Sequence, residues 1–571
     1  MLYDTNHNGE TNYAYRRFRA VMEERLTYES HWRELSDYIL PRRSRFLTTD
    51  RNKGTKKNTK IIDSTATQAL RILASGMQAG ITSPARPWFR LATTQSELNE
   101  MDSVKTWLFE TEAAMRRVFA QSNIYNSLQV CYEELGCFGT MLLAIEEDFD
   151  NVIHTYPFTI GEYGLITDQK NRIIGYCREF SMTVDQIVRE YGREKVTSRV
   201  LDLYDKGSLD IWIDVCHLVE PNEDRNVKSP FAKNKAFRSW TWEKNCEKDM
   251  FLRQSGYDEL PAIGARWHVT GTDIYGRSPG MEGLGDIKQL QMEQRRKGQG
   301  IDKLVDPPMV AHPALRGQPA SVLPGGVTYV DAAALGTGNV GFKPAYQVDI
   351  RLGELREDIN EVQTRIYEVF YADLFRMISN MQGIQPRNEL EILERKEEKL
   401  IQLGPVLERL HFEALDPLID RTFSIMERVG LIPEPPQEAE GAPLKVEYIS
   451  LLAQAQKAVG TQSITAAATF VGNLAQFNPD VLDKLDFDQA VDEYADMTGA
   501  PPKIIRSDEA VQQLRDEKAQ QMQQQQALQT AQAGAQTAKT LSETKTEDKN
   551  LLTDISDMAQ AGTLPGAPGA V

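Results

Sequence analysis

Asp349-Ile-Arg-Leu-Gly-Glu-Leu-Arg-Glu-Asp-Ile-Asn-Glu-Val-Gln-Thr-Arg-Ile-Tyr-Glu-Val-Phe370 places Leu352, Leu355, Ile359, Val362, Ile366 and Val369 at alternating spacings of three and four. That seven-residue seam predicts a helix packed along its whole length against other helices. Upstream, Gly283 to Leu304 carries only Ile287, Leu290, Ile301 and Leu304 around a polar, basic middle, Gln294-Arg295-Arg296-Lys297-Gly298-Gln299-Gly300. A helix of that kind is not expected to bury itself in an ordinary core, so it needs neighbours outside its own chain or one wet face. The simplest arrangement is a ring of subunits whose helix pairs wall a channel.

Between the two stretches, residues 307–346 lack a helical period and are rich in Gly, Pro and Ala. Val322-Leu-Pro-Gly-Gly-Val-Thr-Tyr-Val330 has the form of strand, turn and strand, which puts a β element at the tip of the helix pair. After the seam, residues 372–387 are Met-rich and broken by Gly383 and Pro386. With Met377 and Met381 this segment reads as a mobile loop, since its length exceeds the usual helix-to-helix connection of roughly two to eight residues. A long helical run follows over residues 389–429, opened by an Asn388/Glu391 capping box and stopped at Gly430 and Pro433. Pro405 and Pro417 lie inside the run, and each predicts a kink or split there.

The N-terminal half reads as a mixed α and β body. Helices are expected over residues 13–40, 61–79 and 104–119, strands between 141 and 181 with a hairpin turn at Asp168–Asn171, and more strand at 211–219 and around Trp240 and Trp242. Residues 42–60 hold eight basic side chains against one acid, Asp50. They read as an exposed loop, or as an arm that contacts phosphates or a partner. Beyond residue 431, Ala-rich helical segments are expected at 449–459 and 464–474. From Asp508 the chain is dominated by Gln and Ala, and both disorder and a helix ordered by identical neighbours stay open. The fold class is α+β, mainly α.

Composition narrows the function. A chain of 571 residues with 41% apolar content has material for several layers of core. Five cysteines without a C-x-x-C pair argue against a zinc site or a disulfide framework and fit assembly in a reducing cytoplasm. A polar start and no run of eighteen apolar residues predict neither leader nor membrane span. The formal charge of −17 rules against a coat of tightly bound nucleic acid, because duplex affinity comes from Lys and Arg neutralising phosphates. No Gly-Lys dipeptide occurs, hence no phosphate-cradling Walker loop, and no H-E-x-x-H occurs among the seven histidines. Gly276-Arg-Ser278-Pro279-Gly280 fits the serine-hydrolase elbow in letters only. There the residue after the serine donates its N–H to the oxyanion, and Pro279 has none. No catalytic, cofactor or metal site is expected.

Three segments, Ser75-Gly-Met-Gln-Ala-Gly-Ile-Thr-Ser-Pro-Ala-Arg-Pro-Trp-Phe-Arg-Leu91, Glu134-Leu-Gly-Cys-Phe-Gly-Thr-Met141 and Tyr275-Gly-Arg-Ser-Pro-Gly280 with Asp286-Ile287, resemble the head-to-tail connector, or portal, proteins of short-tailed double-stranded DNA bacteriophages. The resemblance implies a twelve-subunit ring at one capsid vertex, through which the genome is packaged by a separate terminase and later ejected. It assigns residues 1–282 to a wing, 283–306 and 347–371 to two stem helices, and 307–346 to a clip that meets terminase and then tail adaptor proteins. Residues 372–387 become a tunnel loop, 388–430 a kinked wing helix, 431–507 a crown and 508–571 a tail or barrel. Capsid and scaffolding proteins join the implied partners, with no membrane and no cofactor. Arg295, Arg296, Lys297 and Lys303 on the first stem helix, and Arg376 and Arg387 flanking the loop, are the candidate DNA contacts, with a neighbouring subunit's acids as the alternative for each. A tail adaptor or other ring component of the virion is the rival reading.

Overall fold

The computed structural model describes residues 9–41, 57–244, 250–311, 342–344, 351–379, 402–449, 467–475, 479–498 and 508–543. Helices α1 (Gly9–Tyr38) and α2 (Thr65–Ile81) lead to strand β1 (Phe89–Thr93) and to helices α3 (Ser96–Glu100), α4 (Asp102–Gln121) and α5 (Ile124–Phe138). Strands β2 (Thr140–Asp148), β3 (Val152–Phe158), β4 (Tyr163–Thr167) and β5 (Ile173–Thr183) follow, then helices α6 (Val184–Tyr191) and α7 (Ser198–Asp205). Next come β6 (Trp212–Pro221), β7 (Phe237–Glu243), β8 (Arg253–Tyr257) and β9 (Ala262–Arg266). The chain then turns mainly helical, through α8 (Pro279–Glu282), α9 (Leu284–Val305), the short strands β10 (Met309–Ala311) and β11 (Phe342–Pro344), α10 (Leu352–Val369) and α11 (Ala372–Ser379). Helix α12 (residues 402–410), a π turn at His411–Leu415, α13 (Asp416–Val429), β12 (Leu444–Tyr448), α14 (residues 467–475) and α15 (Phe487–Thr498) complete this first compact unit. The second unit holds α16 (Asp508–Glu543), a single Gln-rich helix whose described side chains are nearly all exposed. The fold is thus mixed α and β, mainly helical, with antiparallel sheets.

The sheets form where short apolar runs alternate with turn residues. Strands β4-β5-β6-β7-β8 make an antiparallel meander, β3-β2-β9 a second sheet, and β1 pairs with β12. The expected turn at Asp168–Asn171 closes β4 onto β5. The Asp168 carboxylate accepts the N–H groups of Lys170 (2.9 Å) and Arg172 (2.8 Å), while Asn171 takes a left-handed φ of 58°. On one face of the meander, Cys177, Cys216, Leu218, Trp240 and Trp242 meet Phe18, Val21 and Met22 of α1. Their spacing of two along each strand is what turns these side chains to the same side. The main core joins α2, α4, α5, the β2 sheet and helices α9 to α13. Cys131, Cys137, Cys177 and Cys216 are buried and form no disulfide, and burial pushes the thiols of Cys137, Cys177 and Cys216 up, away from reactivity.

Several expectations shift. Helix α9 does bury one end in its own chain, through Leu284, Ile287, Leu290 and Gln291. Its apolar positions are sparse, but they cluster in the first two turns, where α10, α1 and α8 supply partners. Residues 372–379, expected to begin a mobile loop, are helix α11, with Ala372 and Leu374 fully buried and Phe375 seated on α2. Residues 380–387, and with them Met381, Gly383 and Arg387, lie outside the described residues, as do 42–56, the 322–330 hairpin, Asn388 and Glu391. The long helix departs from α geometry at His411–Leu415, ahead of Pro417, whereas the run 402–410 that contains Pro405 is regular. Its stop is as expected. Gly430 sits at φ 73° and the Leu431 N–H reaches the Met426 carbonyl at 2.9 Å, a Schellman closure. Beyond it, β12 returns to pair with β1, Phe89 opposite Tyr448, and the Trp107 indole donates to the Pro433 carbonyl at 2.9 Å.

Candidate functional site: the helix pair and its socket

Helices α9 and α10 pack on each other, and the β10–β11 pairing just past them returns the chain from one to the other. On α10 the seam grades from Leu352, exposed, through Leu355, half-buried, to Ile359, Val362 and Ile366, buried, with Val369 half-buried at the base. On α9, at about 100° per residue, Ile301 and Val305 prolong the buried face and Leu304 borders it, yet all three are exposed. One apolar seam therefore runs the length of the pair, and the protomer covers only its root.

The basic candidates do not form a single stripe. At the same helical pitch Arg296 and Lys303 lie opposite the buried face of α9, Arg295 lies at its edge, and Lys297, half-buried, lies beside Leu290. Arg376 on α11 holds its guanidinium 4.2 Å from the Tyr367 ring centroid, against α10. Met377 falls within α11. Arg365 of α10 reaches Asp286 of α9 at 3.2 Å, and at this exposure the pair contributes less than about 1 kcal/mol.

The root stands in a socket built by glycines. Gly139 ends α5 with φ 79°, and a Cβ there would lie 2.3 Å from the Gly276 carbonyl oxygen; the reciprocal Cβ on Gly276 would lie 2.2 Å from the Gly139 oxygen. Around this contact Trp267 N–H donates to the Gly139 carbonyl (2.9 Å), Gly276 N–H to the Thr140 hydroxyl (2.9 Å), and the Ser278 hydroxyl to the Cys137 carbonyl (2.7 Å). Ser278 also caps α8, accepting the Met281 N–H at 3.0 Å, with Pro279 at the first helical position. It is a buried structural hydroxyl. A third glycine, Gly76 of α2, lies under the Phe375 ring, whose Cγ would stand 2.1 Å from an added Cβ. Gly139→Ala should therefore destabilise by about 2–5 kcal/mol, combining the left-handed penalty of about 1–2 with about 1–3 for overpacking. Thermal unfolding followed by near-UV tryptophan signals checks this; a loss under about 1 kcal/mol would show that the two backbones separate freely.

The quoted segments thus meet in part around the helix pair: Gly139 and Gly276 touch just ahead of α8 and α9 and Gly76 lies under α11, whereas Phe89–Leu91 are set on the strand that pairs with β12. Residues 11–505 match the family described as bacteriophage head to tail connecting protein. The chain belongs to that family. Over 542 residues it is 47% identical to the portal protein of Salmonella phage epsilon15, covering 95% of this chain and 97% of the relative. Over 541 residues it is 45% identical to the probable portal protein of Bordetella phage BPP-1, with the same coverage. Among solved structures, a chain from the virion of a native gene transfer agent particle covers 70% of this chain at 9% identity and a TM-score of 0.28, too low to bear on the fold. This connector is a phage portal protein, a structural component of the virion at the portal vertex and not an enzyme.

Two parts of the connector's site escaped the sequence. The buried Arg266–Glu413 pair (2.7 Å) joins β9 to the π turn across 147 positions, and nothing local announces it. Gln291 is buried on the apolar face of α9, between Leu290 and the turn above. Its position four residues after Ile287, on the face that carries Leu284 and Leu290, was the available signal.

Proposed function

We propose that this chain is one subunit of a twelve-membered ring whose channel passes the double-stranded genome inward during packaging and outward at ejection. The observation that supports this reading best is the seam of the helix pair, buried at its root and exposed at Ile301, Leu304, Val305 and Leu352. Neighbouring copies of the same pair would cover it. In this arrangement α9 and α10 form the stem and residues 1–282 with 388–430 the wing. Residues 307–346 form the clip, which docks terminase during packaging and tail adaptor proteins afterwards. Residues 431–507 make the crown, with β12 withdrawn from it to the wing, and 508–571 a helical tail or barrel. The tunnel loop keeps only the part of 372–387 that follows α11. Capsid and scaffolding proteins contact the outside of the ring, which assembles in the host cytoplasm.

Arg296 and Lys303, with Arg295 beside them, are the residues of α9 that would face DNA, while Lys297 would meet protein. The acidic balance of −17 keeps phosphate contacts few, so that DNA slides instead of sticking. Electron micrographs of the purified full-length chain test the reading. End-on averages should show twelvefold rings, and side views a wide body on a narrower stalk. A well-behaved monomer at micromolar concentration, with the tips of α9 and α10 protected from hydrogen exchange, would overturn it.

A further inference from the structure

The chain that emerges from the basic stretch enters α2 through Ile62 and Asp63, and at that point it is gripped from two sides. Gln291, buried in α9, accepts the N–H groups of Ile62 (2.7 Å) and Asp63 (2.8 Å) on its Oε1 and donates its Nε2 to the Asp63 carbonyl (2.9 Å). The Asp63 side chain is spent in the same way. Its Oδ1 accepts from the Thr65 N–H (2.8 Å) and hydroxyl (2.5 Å), and its Oδ2 accepts from Gln294 Nε2 of α9 (2.9 Å) and Gln363 Nε2 of α10 (3.0 Å). Only one orientation of each amide satisfies this network: the ionised carboxylate has no hydrogen to give, so Gln294 and Gln363 must donate to it, and the two backbone N–H groups need the Gln291 oxygen. Burial alone would push the Asp63 carboxyl up, but the hydrogen bonds from Thr65, Gln363 and Gln294 outweigh it and hold the group below its ordinary range.

We propose that Asp63 is the positioning residue of the helix pair: one carboxylate oxygen, shared by a glutamine from each helix, sets the register of α9 against α10 and ties the entering chain to both. Asp63 lies 228 positions from Gln291 and 300 from Gln363, so the contact joins three separated parts of the chain at the foot of the pair. A second polar link between the helices among the described residues, Arg365 to Asp286, is part-exposed and weakly restraining. Shared charge-assisted bonds at half-buried positions are stronger and more directional. The consequence is mechanical. Ile62 and Asp63 move with the two helices as one body, and a pull on the entering chain is felt by α9 and α10 together. This inference stands without the ring reading, because it concerns the protomer.

Hydrogen–deuterium exchange on the full-length protein tests it. Gln363→Glu keeps the shape but sets a carboxylate against Asp63 Oδ2, so exchange should rise at least tenfold in residues 284–305 and 352–369 while β6 and β7 keep their protection. Gln363→Ala, at a half-buried position that folding tolerates, should raise exchange about threefold in the same peptides. In the combined Asp63→Asn, Gln363→Glu variant the new amide donates one hydrogen to the carboxylate at position 363 and the other to Gln294, whose amide turns its oxygen inward, so exchange should return to within about threefold of the parent. Rescue of that kind separates a direct register contact from general loosening. Unchanged exchange in both single variants, or no recovery in the combined one, would overturn the proposal.

Discussion

A protomer carrying Glu413→Ala is expected to lose about 3–5 kcal/mol of stability, the cost of leaving a buried charge without its partner. The Arg266 side chain is 2% exposed. Its Nη2 donates to Glu413 Oε1 at 2.7 Å and to the Asn171 carbonyl at 2.6 Å, its Nη1 to Asn171 Oδ1 at 3.0 Å, and its Nε to Glu413 Oε2 at 3.2 Å. Glu413 Oε2 also accepts the Arg266 backbone N–H at 3.0 Å. Without the carboxylate, the guanidinium keeps only neutral acceptors inside a body it cannot leave. By contrast, surface pairs such as Arg19–Glu23 or Arg193–Asp205 should cost under about 1 kcal/mol when broken. Glu413→Gln, which retains one acceptor and the shape, should fall between. Trp267, adjacent to Arg266 and 6.0 Å from Tyr371, reports the transition by fluorescence. A loss below about 1 kcal/mol for Glu413→Ala would mean that water reaches Arg266 and that the pair does not anchor the long helix.

That anchor marks where legibility ended. Periodicity disclosed α10, because Ile359, Val362 and Ile366 obey a rule that depends only on near neighbours in sequence. Turn chemistry disclosed the Asp168–Asn171 hairpin for the same reason. The π turn at His411–Leu415 has no such local signature. It widens the ladder so that the Asp416 N–H bonds the His411 carbonyl, one turn ahead of Pro417, which has no N–H to offer. The extra residue turns Glu413 toward Arg266 and lays His411 flat on Tyr448, ring centroids 3.9 Å apart, where burial pushes its imidazole down to about 4 and keeps it neutral. Proline told that the helix must yield; only the distant partners fixed how. Likewise the Met-rich composition of residues 372–387 pointed to a loop, but Phe375 found a glycine on α2 to pack against, and that contact made the first eight residues a helix.

Charging the exposed end of the seam should abolish assembly while sparing the protomer. Ile301, Leu304, Val305 and Leu352 are 38%, 43%, 80% and 42% exposed, so a charge at any of them keeps its hydration in the isolated chain. In the ring each would lie against a neighbouring pair, where burying a Leu- or Val-sized side chain contributes up to about 1.5–3 kcal/mol and an unpaired charge costs more than that. Because every subunit carries the change at every interface, Leu304→Glu with Leu352→Glu penalises each contact in the closed ring. Sedimentation velocity should therefore find monomers or small open oligomers, with thermal unfolding of the main body within about 1 kcal/mol of the parent. Asp at Ile359 or Val362 makes the contrasting case. Those side chains are 3% and 0% exposed inside the protomer, so a charge there breaks the core itself, and loss of rings would say nothing about the interface. If the Leu304→Glu, Leu352→Glu chain still sediments as a closed ring, the exposed seam faces solvent or the channel, and the subunits must be joined through another surface.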